Sequence, residues 1–189
     1  TQINDGKVAI SQNAALSKGA VSLAATATLE ATANVTLANQ MTLAAGATVE
    51  TSANLTLANT SLPDQVTTLN GNGNVTFNAK QNANTIVLES KVTGTGGITK
   101  EGDGSLILKS ANDYAGSTIV NKGTVVVAKQ GALSTGAVTL LGGTTLTGGG
   151  ATLETANGIT LANEINLTGA ATDQVNLSVA ADANTDVLG

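Results

Sequence analysis

Glu30 and Glu50 hold the same place in two copies of one frame, LEATANVTLAN over residues 29–39 and VETSANLTLAN over residues 49–59, displaced by 20 residues. Two carboxylates stacked in this way could bridge a divalent cation, which takes oxygen ligands, or could stand apart as solvated charges. A facing carboxylate pair is also what glycoside hydrolysis needs, usually with aromatic platforms under the sugar rings. The only rings in the chain are Phe77 and Tyr114, so the platforms are missing. Gly102-Asp103-Gly104 resembles a calcium-binding β-roll turn but lacks its repeated nonapeptide spacing, and reads as a plain tight turn. Asn-x-Thr/Ser occurs at Asn34, Asn54, Asn59, Asn74, Asn166 and Asn176. Each triplet could accept a glycan, but asparagines at matched positions of a repeat are better explained as an internal or corner ladder.

Missing residue types narrow the chemistry further. The chain has no Cys, His, Trp or Arg. Without Cys there is no disulfide, thiolate nucleophile or thiolate metal site. Without His the usual general base near neutral pH and the commonest transition-metal ligand are gone. No catalytic residue, cofactor or metal is therefore expected, and the chain does not read as an enzyme. The net charge of -5 makes nucleic acid a poor partner. Lysines nonetheless gather at Lys91, Lys100, Lys109, Lys122 and Lys129, beside Glu101, Asp103 and Asp113. They form either a solvated face or an electrostatic docking patch, with Lys109 and Lys122 as the candidate interaction surface. No signal peptide is visible at Thr1 and no apolar run is long enough to cross a bilayer. A soluble piece of a longer protein, not inserted in the membrane, is expected.

The elements that must position these groups are strands. Between Gly94 and Leu140, the runs Ser105-Leu106-Ile107-Leu108, Ser117-Thr118-Ile119-Val120 and Thr124-Val125-Val126-Val127 are short and β-branched. Turn residues at Gly102-Asp103-Gly104, residues 112–116 and Asn121-Lys122-Gly123 separate them. The 20-residue frame restarts as LETANGITLAN over residues 153–163, and ALSKGAVSL over residues 15–23 returns as ALSTGAVTL over residues 132–140. Self-similarity at about 20 residues is the signature of stacked coils. Within one period Leu29, Val35, Leu37, Met41 and Leu43 fall in alternating bursts, which puts them inside and Thr36 and Thr42 outside. The expected fold is all-β, a right-handed parallel β-helix (solenoid) with coils of about 20 residues and three short strands per coil. It runs as one segment over residues 1–189, about nine coils in all. Leu62-Pro63-Asp64-Gln65 reads as a loop pushed out of a coil, since proline cannot donate to a ladder.

One stretch goes beyond composition. Gly97, Thr99, Lys100, Gly102, Gly104, Leu106 and Leu108, then Asn112, Tyr114, Gly116, Thr118, Val120, Gly123 and Val125, stand in the order GG-hydrophobic-TK-x-G-x-G-x-L-x-L followed by N-x-Y-x-G-x-T-x-V-x-x-G-x-L. This order resembles the passenger-associated repeat of Gram-negative autotransporters, with Val125 where Leu is usual, and places a repeat region over residues 94–140. The resemblance implies a right-handed β-helix secreted through an outer-membrane translocator barrel, with the repeat aiding folding and transport. It also implies a place on the cell surface or in the secreted fraction.

The expected function is a rigid surface scaffold in adhesion or self-association, with itself or host and neighbouring-cell surface molecules as partners. The alternative is a passive stalk whose repeat assists folding and secretion. Polysaccharide binding is a more remote alternative, and so is ice binding by threonine arrays, because the pairs that suggest it, Thr26-Ala27-Thr28 and Thr93-Gly94-Thr95, do not recur at coil spacing.

Overall fold

The computed structural model describes residues 1–58, 66–142, 150–169 and 175–179. The expected Pro63 loop and Asn59 lie outside the described residues, and so do Gly143, Gly148 and Gly149, which read in the sequence as corners around Leu146.

Every described element is a strand, and every pairing is parallel. The first sheet stacks Gln2–Ile3, Val21–Leu23, Met41–Ala44, Val66–Asn70 and Lys91–Gly94. A second stacks Gly6–Ile10, Ala27–Ala31, Thr48–Thr51, Asn74–Ala79, Gly97–Glu101, Thr118–Val120, Val138–Leu141 and Ile165–Thr168. The third stacks Val35–Leu37, Asn54–Leu57, Thr85–Leu88, Ser105–Leu108, Gly123–Val127, Ala151–Thr155 and Asn176–Val179. Successive strands in the chain belong to different sheets, so the backbone winds as a parallel β-solenoid. Eight strands in the second sheet, at about 4.8 Å each, give a rod of roughly 34 Å.

The register explains why the rod is shorter than nine coils. Thr28 pairs with Thr48 and Ile98 with Thr118, each one 20-residue step, but Thr48 pairs with Thr76 and Val138 with Ile165. Those two coils are longer, at 28 and 27 residues. After Gly94 the first sheet ends, although its hydrogen bonding continues: Asp113 N donates to Val92 O at 3.0 Å and Ala115 N to Gly94 O at 2.9 Å.

Alternation sets the interior. One inward column of the second sheet runs Val8, Leu29, Val49, Phe77, Lys100, Val120, Leu140, Leu167 in register. In the third sheet Val35, Leu55, Ile86, Leu106, Val125, Leu153 and Leu177 form another. Each fully buried aliphatic side chain contributes on the order of 2 kcal/mol, which is how a core with two rings is stable. Leu167 is 65% and Leu177 66% exposed, and among the described residues their strands have a neighbour on one side only. Towards that end of the stack Ile159, Leu161, Ile165 and Val175 are only partly buried against the core.

Candidate functional site

The inward column above contains one charge. Ile98, Thr99 and Lys100 alternate in, out, in on Gly97–Glu101, so the register sends Lys100 inside between Phe77 and Val120. Its side chain is buried, which corrects the sequence reading that grouped it with the surface lysines. The ammonium reaches the corner between the second and third sheets. There Nζ donates to Glu101 O at 2.6 Å, Gly102 O at 2.7 Å and Lys122 O at 3.1 Å. All three N–H donors of an ammonium are thereby used. Burial pushes the Lys100 pKa down to about 8, opposed by the charges of Glu101 and Asp103 and assisted by that of Lys122. The three carbonyl oxygens favour the charged form and offset part of that cost.

Glycine makes room for this cage. Gly123 sits at φ +71°, and a Cβ there would collide with the carbonyls of Gly102 and Gly104 and lie 2.8 Å from Lys100 Nζ. At the corner between the first and second sheets, Gly97 N donates to Gly73 O at 3.1 Å and Gly116 N to Gly96 O at 3.1 Å, too close for a side chain on either.

The other repeat positions serve the stack as well. Leu106, Leu108, Val120 and Val125 are buried. Thr99 faces outward, where Asn74 Nδ2 donates to its Oγ1 at 3.0 Å. Asn112 joins three coils: its Oδ1 accepts from Val92 N at 2.8 Å and its Nδ2 donates to Ala132 O at 2.6 Å. Tyr114 is buried with its hydroxyl 2.7 Å from Thr118 Oγ1, and burial pushes its pKa up to about 12.

The two copies of the ALSxGAV corner share a lock that the sequence reading did not identify. Ser17 and Ser134 both adopt positive φ, 57° and 53°. Asn39 Nδ2 donates to Ser17 O at 3.1 Å and Gly19 O at 2.6 Å, and Asn163 Nδ2 reaches Ser134 O at 3.3 Å and Gly136 O at 2.7 Å. Asn39 and Asn163 close the TLAN of the first and third copies of the frame, so these two copies each clamp the corner of an earlier coil. Other asparagines form the expected corner ladder: Asn34 Oδ1 accepts from Asn54 N at 3.1 Å and Asn54 Oδ1 from Thr85 N at 3.0 Å.

On the outside, charges pair between coils. Lys91 binds Asp113 at 2.5 Å, Lys109 binds Glu89 at 3.1 Å and Lys122 binds Asp103 at 2.8 Å. Lys109 and Lys122 are therefore exposed but partnered. Asp113 is held below the usual carboxylate range, first by Lys91 and then by Thr93. Glu30 and Glu50 do stand one above the other. They are not splayed apart: Lys7 Nζ lies 3.2 Å from Glu30 Oε2 and 2.5 Å from Glu50 Oε1, and Lys80 Nζ contacts Glu30 and lies 3.1 Å from Glu50 Oε1. Two ammonium groups occupy the space in which a bridging cation would sit.

Comparison with known proteins agrees with this geometry. Residues 98–127, which hold the lysine cage and the buried tyrosine, match the family described as Passenger-associated-transport-repeat. Over 81 residues, 43% of the chain, it is 33% identical to a protein named Adhesin BmaC autotransporter from Brucella suis. The chain spans about 2% of the length of that relative. No solved structure matches. The stacked parallel coils, the repeat matched over residues 98–127 and the similarity to an autotransporter adhesin support an autotransporter passenger domain and a place at the cell surface or in the secreted fraction.

Proposed function

We propose that this segment is a rigid, non-enzymatic scaffold that takes part in adhesion or self-association, after export through an outer-membrane translocator barrel. The observation that carries this reading is the outer surface, which is built in columns. Thr28, Thr48, Thr76, Thr99, Ile119 and Thr139 stack in register on the second sheet, and Ser22, Thr42, Thr68 and Thr93 on the first. Such faces are straight, hydroxyl-rich and repeated at the strand spacing, a form suited to many weak contacts along an extended partner. The columns are one threonine wide, with Glu30, Glu50, Asn78 and Glu101 beside them on the second sheet. The name of the Brucella relative adds support. Lys109 and Lys122 are the proposed contact charges, each free to exchange its own carboxylate for one on a partner.

Sedimentation velocity across concentration and salt tests the self-association arm. Association that rises with concentration, weakens with salt and drops in Lys109→Glu and Lys122→Glu supports it. A monomeric rod at every concentration, with no binding to host-cell surfaces, overturns the proposal in favour of a passive stalk.

A further inference from the structure

Among the described residues, Lys100 is the buried ammonium, and the site around it has a shape of its own. Its three acceptors are backbone carbonyls, two from its own coil at Glu101 and Gly102 and one from the next coil at Lys122. The wall on that side is Gly123, where even a methyl group would crowd Nζ. Three convergent carbonyls match the three N–H bonds of a primary ammonium, whereas a planar guanidinium directs its donors differently. A metal ion is not required, since the cation is supplied by the chain itself.

We infer that this corner is a primary-ammonium binding site filled from within, and that it acts as a latch which closes only when the following coil has stacked. Until residues 121–127 are in place, Lys122 O is absent and Gly123 does not cover the corner, so the ammonium keeps its water. Stacking of the next coil supplies the third acceptor and removes that water in one step. No acceptor comes from the preceding coil, which contributes Phe77 to the wall of the stem. The latch therefore couples a coil to its C-terminal neighbour and gives coil closure a direction. Glu101, Asp103 and Lys122 are the charged groups around it, and Lys122 and Asp103 are paired with each other on the surface. This inference does not depend on the adhesion proposal.

Lysine acetylation of the intact folded chain at neutral pH, mapped by peptide mass, reads the latch directly. Lys100 is expected to react at least about tenfold more slowly than Lys91, Lys109 and Lys122. Val125→Ala, in the following coil, raises its labelling, whereas Val75→Ala, in the preceding coil, raises it less. Lys100→Ala removes the equivalent of propylammonium from the site. Its lowered Tm is expected to recover in propylammonium chloride and not in tetramethylammonium chloride at equal concentration. Labelling of Lys100 at the rate of the surface lysines, equal responses to the two valine variants, or no selective recovery by propylammonium would each overturn the inference. The acetylation readout on the natural sequence stands even if Lys100→Ala fails to fold.

Discussion

Lys100 Nζ donates to the carbonyl oxygen of Lys122 at 3.1 Å, across 22 residues of sequence and one step of the solenoid. An internal charge is thus satisfied by backbone that exists in position only once the coils are stacked, and its proton is linked to folding.

That linkage has a sign. Burial holds the folded Lys100 near 8 against an ordinary 10.5, so between those values the unfolded chain binds the extra proton. Stability from this group therefore rises as pH climbs from 8 to 10.5, by on the order of 3 kcal/mol at the upper end, and is flat below 8. Urea unfolding at pH 7.5 and 9.5 checks it: the natural chain gains relative to Lys100→Met across the window. Lys7 and Lys80, both raised by their carboxylate partners, lose their contribution only above 10.5.

Glycine at the cage is a steric requirement. Gly6 and Gly123 have nearly the same φ, +72° and +71°, but a Cβ on Gly6 meets nothing within 4 Å. Gly6→Ala is expected to cost about 1 kcal/mol for the left-handed backbone alone. Gly123→Ala adds a collision with two carbonyls and is expected to cost roughly 2–4 kcal/mol. Thermal unfolding of the pair separates the two terms.

The asparagine clamps are testable in the same way. Asn163→Ala leaves Ser134 O and Gly136 O without their donor, and Asn39→Ala does so for Ser17 O and Gly19 O. Each is expected to lower stability by about 1–2 kcal/mol in denaturant titrations.

At acid pH the stacked carboxylates become the weak point. Glu30 is held below its ordinary 4.5, first by Lys80 and also by Lys7. Its contribution is present above 4.5 and is lost as pH falls through the lower folded value. Glu30→Gln should flatten the acid limb of the stability curve, measured by circular dichroism, while leaving the limb above pH 8 unchanged.

Much of this was legible in the residues. Alternation of Val, Leu and Ile predicted the interior, because a one-residue slip would turn the whole set outward. The offset between residues 29–39 and 49–59 predicted the Glu30–Glu50 stack. Lys100 was missed although Ile98-Thr99-Lys100 carries the signal: period two from Ile98 sends position 100 inward, but a charge is ordinarily assigned to solvent. Lys80 was missed as the bridge to Glu30 because it arrives from 50 residues away, through the lengthened coil. The clamp by Asn39 and Asn163 was hidden because a carbonyl acceptor leaves no side-chain trace in sequence.

The most direct test of the scaffold reading uses beads coated with the folded chain, scored for clumping and for binding to host-cell monolayers beside beads coated with the urea-denatured chain. Clumping or binding that depends on the folded solenoid and falls in Lys109→Glu or Lys122→Glu is the predicted result. Folded-chain beads that stay dispersed and bind no cells would contradict it.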